Sequence, residues 1–285
     1  MNKYVIVITG PTASGKTKLA HRLALSMDGE IIMADSMKVY READIGTSTP
    51  PLEYRKKVNY HLVDIIDPTQ RYNLGEFYRS SLDIIERLHS QGKLPVVCGG
   101  TSLYITKLME GLAKMPAVKD NIKEKLNQRE SGELYKELQK TDPARAQKLH
   151  PNMKKRIVRA LGIHRQTGKK MTTLLKETTP PDYDFIPLGI KWERDILYKR
   201  INKRVYDMIE KGLVEEVKKL SKKYSKTAPV FEGVGYRDVL KYLEGKISLK
   251  KAMEDIKQST RNYARKQLTW WRKREIIWLS GKELE

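Results

Sequence analysis

Residues Gly10, Pro11, Thr12, Ala13, Ser14, Gly15, Lys16 and Thr17 carry the glycine–lysine–threonine spacing of a phosphate-binding loop. In such a loop the backbone N–H groups wrap a diphosphate at a helix N-terminus, where the helix dipole favours an anion. Lys16 supplies charge to the phosphates and Thr17 a hydroxyl for a magnesium ion, Mg2+. The pattern predicts a di- or triphosphate ester as ligand. It leaves open what is attached to the phosphates.

The elements this loop needs are present on both sides. Tyr4-Val-Ile-Val-Ile8 is a short β-branched run that reads as a buried strand. From Lys16 the apolar residues Leu19, Ala20, Leu23 and Ala24 repeat at helical spacing. Glu30–Ala34 reads as a second strand with Asp35 at its end, and Leu94–Cys98 as a third, ended by Gly99-Gly100-Thr101. Asn73 and Glu76 have capping-box spacing, ahead of a helix with Phe77, Ser81, Ile84, Ile85 and Leu88 on one face. Strands separated by helices argue for an α/β fold with a parallel sheet, whose ligands sit beyond the carboxyl ends of the strands. Thr12, Asp35 and Thr101 are therefore expected to converge.

Asp35 has two readings at this level. It is a carboxylate that binds an acceptor hydroxyl or magnesium shell, or takes a proton from a nucleophile. Otherwise it caps a helix starting at Ser36. Thr101 has the same pair of readings, with its preceding glycines favouring close approach to a ligand. Arg200 and Arg204 lie four apart on one predicted helix and could fork onto a diphosphate; an ordinary basic face is the alternative. Lys154-Lys155-Arg156 with Arg159, and Arg261, Arg265, Lys266 with Arg272–Arg274, have the character of phosphate-backbone contacts. Tyr263, Trp270 and Trp271 either stack on bases or, for at least two of them, belong to the core.

Beyond about Lys114 the pattern changes to short helical segments. Asp142-Pro143 reads as a cap followed by proline at the first helical position, and Asn152 as the cap of the next helix. Thr178–Asp182 closes this region, and Phe185–Ile190 returns as a strand of the first domain. One long helix is expected through Leu197, Ile201, Val205, Met208, Ile209, Leu213 and Val217. A last helix covers about Leu249–Trp271, and Ile276–Leu279 reads as a final strand. The expected domains are a phosphate-loop core, 1–112 with 183–285, and a helical insertion, 113–182.

Charge follows this division. The net charge is +21 over 285 residues, with +2 in residues 1–112, +9 in 113–182 and +10 in 183–285. Such asymmetry points to a polyanion larger than the ligand of the loop. Hydrophobic content of 39% and charged content of 32% suit a globular protein, and no apolar run approaches a membrane span. Cys98 is the only cysteine, which excludes an internal disulfide and a cysteine-rich zinc module. The immediate entry into a strand leaves no room for a signal peptide, so a cytoplasmic setting is expected. A monomer is the default.

Several segments together resemble the bacterial tRNA dimethylallyltransferases (tRNA isopentenyltransferases, or IPP transferases). They are Gly10–Thr17, Ala34-Asp-Ser-Met-Lys-Val-Tyr40, Asp44-Ile-Gly-Thr47, His61-Leu-Val-Asp64, Gly99-Gly-Thr-Ser-Leu-Tyr104, Gly233-Val-Gly-Tyr-Arg237 and Thr260-Arg-Asn-Tyr-Ala-Arg-Lys-Gln267. The resemblance implies a P-loop NTPase-like sheet and transfer of a dimethylallyl group from dimethylallyl diphosphate to N6 of adenosine 37, beside the tRNA anticodon. It implies that Asp35 takes the amine proton and that Lys16, Thr17 with Mg2+, and Arg204 stabilise the departing diphosphate. Ser14 and Gly15 would add backbone contacts, and Thr101 would position the adenine or reacting centre. By the same resemblance tRNA contacts fall on Asp35, Ser36, Met37, Lys38, Thr101 and Lys123. Others fall on Lys155, Arg156, Ile157, Val158 and Arg159, and on Glu232, Gly233, Val234, Gly235, Tyr236 and Arg237. Many relatives have Gln where Lys38 stands. The insertion would grip the anticodon stem, and the target base would be extruded into a channel.

Three rivals differ in testable ways. A small-molecule kinase would need ATP but no basic helical insertion. A prenyltransferase for free adenine nucleotides would have less use for the insertion and for Arg261–Lys266. A non-catalytic RNA-binding protein would be indifferent to loss of Asp35.

Overall fold

The computed structural model describes residues 3–284. In chain order its elements are β1 (Tyr4–Thr9), α1 (Lys16–Ser26), β2 (Gly29–Met33), α2 (Leu52–Arg55), β3 (Tyr60–His61), α3 (Leu74–Ser90), β4 (Leu94–Cys98) and α4 (Ser102–Glu110). There follow α5 (Asp120–Asn127), α6 (Ser131–Thr141), α7 (Pro143–Ala146), α8 (Lys154–Thr167) and α9 (Met171–Lys176). The chain closes with β5 (Asp184–Lys191), α10 (Arg194–Glu210), α11 (Leu213–Lys223), α12 (Tyr236–Leu243), α13 (Leu249–Trp271) and β6 (Ile277–Ser280). Two compact units result. One runs to Met109 and resumes at Asp182; the other is Glu110–Pro181.

The first unit is α/β. Its six strands form one parallel sheet in the order β3-β2-β4-β1-β5-β6. Helices cover both faces, so the central strands are buried on either side and read as continuous apolar runs. Along β1 the side chains alternate. Val5 and Val7 pack with Phe77, Ile85 and Leu88 of α3 and with Ile105 and Leu108 of α4. Ile6 and Ile8 pack on the other face with Ala20 and Ala24 of α1. A third core gathers Val39, Tyr40 and Ala43 with Val205, Leu213, Val217, Tyr236 and Ile256 from the later helices. The connection leaving β1 runs to β2 on one side and that leaving β4 runs to β5 on the other, so the two diverge between β4 and β1, where open α/β sheets form a crevice.

The capping box at Asn73 forms, with the Asn73 side chain accepting from the N–H groups of Gly75 and Glu76 and Glu76 returning to Asn73. In the helical unit the Asp142 side chain accepts from the Arg145 N–H, and Pro143 occupies the first turn. Ile157, Leu161, Leu126, Leu134 and Leu138 form the centre of that unit's own core.

Three expectations need correction. The single long helix through Leu213 is two helices, because Gly212 takes a left-handed φ of 95° between α10 and α11. The apolar spacing continues across the break because both pieces pack on the same core. Asn152 does not cap α8; its N–H turns back to His150 Nδ1, and Met153 occupies the cap position. Among the aromatics of α13 only Trp271 is in the core, while Tyr263 and Trp270 remain 40% and 37% exposed. β3, only two residues long, carries too short a pattern to be read from sequence.

A phosphate cavity at the strand ends

The phosphate loop, the turn after β2 and the glycines after β4 line one cavity of about 760 Å3. Thr12 and Asp35 do converge there, joined by Lys38, Gly99, Gly100, Arg200 and Arg204. Thr101 stands just outside the lining. Its hydroxyl accepts from the Ser36 N–H at 3.0 Å, so it holds the turn that carries Asp35. No helix starts at Ser36, which removes the capping role for Asp35. Instead Asp35 Oδ1 accepts from the Met37 N–H at 2.9 Å, and Oδ2 lies beside Gly100. Gly99 allows β4 to approach β2 here: a Cβ would fall 2.0 Å from the Ala34 carbonyl oxygen.

The loop is braced from outside by side chains far away in sequence. Gln267 Oε1 accepts from the Thr12 N–H at 2.8 Å, and its Nε2 donates to the Gly100 carbonyl at 2.7 Å. Tyr263 also donates to that carbonyl, at 2.8 Å. Trp192 donates to the Ser14 carbonyl at 3.0 Å, and Arg200 Nε to the Ala13 carbonyl at 2.9 Å. Arg200 lies over the Trp192 ring, 4.2 Å from its centroid. The Thr12 N–H is held by Gln267 and the Ser14 N–H by the Pro11 carbonyl, so the N–H groups offered to an anion are those of the first turn of α1, from Lys16 on. Gln267 is 2% exposed, and Gln267→Ala leaves the Thr12 donor without this partner and the Gly100 carbonyl with Tyr263 alone. The variant should lose about 1–3 kcal/mol of stability, measured by urea unfolding.

Charge inside the cavity is biased towards cations. Burial pushes the Lys16 ammonium down to about 8, aided by Arg204 and Lys38 and opposed by Asp35. Burial likewise pushes Lys38 down to about 8, with Asp35 opposing and Arg204 assisting. Arg204 is also lowered by burial, against the pull of Asp35. Lys16 Nζ rests on the Pro11 carbonyl at 2.7 Å. The Ser14 hydroxyl is buried with no hydrogen-bond partner, a further polar group that a ligand would satisfy.

Magnesium fits the donor chemistry. Thr17 offers a hard oxygen, and Cys98 does not compete as a soft thiolate because burial pushes its thiol up to about 11. Among the described residues no group of three or more His, Cys, Asp or Glu side chains forms a metal cage.

The remaining expected residues divide by burial. Lys123 is exposed on α5, and Lys155, Arg156 and Arg159 are exposed on α8. Ile157 and Val158 are core residues of the helical unit, so helix periodicity turns their side chains away from any tRNA. Ser36 and Met37 are half-buried, and Lys38 is 7% exposed in the cavity wall. Glu232 is exposed and pairs with Arg71 at 2.7 Å; Val234 and Arg237 are exposed, while Gly233 and Gly235 are buried. Tyr236 is buried, and its hydroxyl donates to Glu216 at 2.7 Å, which makes it a strut.

Glu216 itself carried no signal in a helix rich in Glu and Lys. Its carboxylate accepts from the N–H groups of Asp44, Ile45 and Gly46 at 3.0, 2.8 and 3.1 Å. The Asp44–Thr47 and Gly233–Tyr236 segments thus meet at one side chain.

The family model described as IPP transferase matches residues 38–274. A tRNA dimethylallyltransferase of Acetivibrio thermocellus is 42% identical, over 99% of this chain and 93% of the relative. That of Geobacter sulfurreducens is 44% identical, over 96% and 90%. The crystal structure of the Bacillus halodurans tRNA isopentenylpyrophosphate transferase aligns with a TM-score of 0.73 at 35% identity, covering 98% of this chain and 90% of that one. A eukaryotic dimethylallyltransferase acting on tRNA aligns with a TM-score of 0.90 at 31% identity, covering 99% and 75%. With a matched family model over most of its length and relatives similar from end to end, the chain belongs to the IPP transferase family.

Proposed function

We propose that this chain transfers the dimethylallyl group of dimethylallyl diphosphate to N6 of adenosine 37 in tRNA, releasing diphosphate. The observation that carries this reading is one cavity holding a phosphate loop, an excess of cations and the Asp35 carboxylate on the turn after β2. A kinase would need the loop for ATP and has no use for the +9 of the helical segment 113–182.

In the proposed reaction the adenine N6 attacks the first carbon of the dimethylallyl group, and the bond from that carbon to the diphosphate oxygen breaks. The electron pair of the broken bond leaves with diphosphate. Lys16 and Arg204 offset the charge that develops there, where preformed cations in a partly enclosed site act most strongly. The proton lost from N6 passes to the Asp35 carboxylate. When bound, magnesium makes diphosphate a better leaving group, and Thr17 is the residue that would hold it. Thr101 acts through the Asp35 turn and is a positioning residue.

The anticodon stem-loop of tRNA is the assigned macromolecular partner. Lys123, Lys155, Arg156 and Arg159 are its proposed phosphate contacts in the helical unit, and Arg237 one in the other unit. A monomer is the proposed state. Release of diphosphate from dimethylallyl diphosphate that requires unmodified tRNA tests the assignment; formation of ADP from ATP without tRNA contradicts it. Affinity for tRNA should also fall steeply with salt, with a log–log slope of several units for as many displaced counterions. Titration of labelled tRNA across a salt series measures that slope, and a flat profile opposes the electrostatic account.

A further inference from the structure

We propose that Lys38 is a third cation for the substrate diphosphate, beside Lys16 and Arg204, and not a contact for the tRNA backbone. This rests on the reading of the cavity as a prenyl-diphosphate site. Lysines that serve a nucleic-acid backbone stand on the surface, where phosphodiesters reach them. Lys38 is 7% exposed and lines the same cavity as the phosphate loop. Its ammonium donates to the Ser48 carbonyl on the facing loop. An ammonium has three donors, so that bond leaves two for a ligand.

The groups that act on Lys38 are Asp35, Arg204, Cys98 and Asp44, and Lys16 and Asp64 feel its charge in turn. Cys98 is neutral, held up to about 11 by burial. Asp64 is already ion-paired with Arg55 at 2.6 Å. Asp35, Asp44, Glu53 and Asp207 also line the cavity, but seven lysines and arginines against these four carboxylates leave an excess of positive charge around Lys16, Lys38 and Arg204. A buried ammonium is costly unless paired, and a diphosphate supplies several negative oxygens to three cations at once. At neutral pH Lys38, at about 8, remains mostly protonated and its charge is available.

The competing role is a strut that holds the 44–51 loop through Ser48. Lys38→Gln keeps a donor for that carbonyl and removes the charge; Lys38→Met removes both. Binding of inorganic diphosphate with magnesium, followed by calorimetry, should weaken about 10- to 100-fold in both variants. Binding of unmodified tRNA should stay at the wild-type level, which also shows that the variants are folded. Wild-type diphosphate affinity in Lys38→Gln overturns the inference, as does a loss confined to Lys38→Met. Lys16→Ala separates the two levels of the argument. If wild type binds, Lys16→Ala does not and Lys38→Gln matches wild type, only the Lys38 role falls. If wild type itself does not bind diphosphate, the reading of the cavity falls with it.

Discussion

Asp35→Ala is expected to lower the single-turnover rate by about two to four orders of magnitude, the usual cost of losing a positioned general base. Binding of tRNA and of dimethylallyl diphosphate should persist. Its surroundings separate a turn contact, which Asp35→Ala also gives up, from the free carboxylate oxygen that serves the chemistry. One carboxylate oxygen is committed to the Met37 N–H and fixes the turn, while the Thr101 hydroxyl holds the neighbouring Ser36. The other oxygen lies beside Gly100 in the cavity. Asp35→Asn preserves the acceptor for Met37 but cannot take a proton at neutral pH. The two variants should therefore fall together in rate, read by rapid quench with enzyme in excess over tRNA. A wild-type rate in Asp35→Asn would falsify the proton-acceptor role.

Arg204→Met should cost about 10²- to 10³-fold in kcat, comparable to removing one preorganised donor from a site of developing charge. Methionine approximates the length of the arginine stem without its guanidinium. Arg204 lines the cavity and feels Asp35 electrostatically. Its charge should matter more as the carbon–oxygen bond breaks than in the ground state, in which Lys16 would already offset the charge of the diphosphate. The expected signature is therefore kcat and kcat/KM falling together. A rise in KM with kcat unchanged would mean that Arg204 binds substrate and transition state equally. Arg200→Met should differ, because Arg200 acts through the Ala13 carbonyl and the Trp192 ring.

How far these residues were legible follows from the range of the interactions that define them. The phosphate loop, β1, β2 and β4 are local: a buried parallel strand is a run of β-branched and aliphatic residues, and the turn after it carries its own glycines. Asn73 and Asp142 were readable because a cap is satisfied within three residues. Gln267 was not, since its partner Thr12 lies 255 positions away and nothing near Gln267 encodes that meeting. Trp192 and Glu216 are hidden for the same reason, separated from the loops they hold by 178 and about 170 residues. Lys38 stood in a resembled motif, yet its burial depends on the 44–51 loop folding over it. The resemblance brought Ile157 and Val158 in as parts of a continuous run, whereas a helix divides such a run between core and surface.

On the proposed function, the loop holds a prenyl diphosphate and the cavity joins its prenyl group to RNA. The most direct measurement combines the purified protein with unmodified tRNA, magnesium and labelled dimethylallyl diphosphate, then digests the RNA to nucleosides, with ATP as a parallel donor. The account predicts labelled N6-dimethylallyladenosine, mapped to position 37 by partial digestion. RNA without label, together with ADP formed from ATP and a small acceptor, would contradict it and assign the cavity to a kinase.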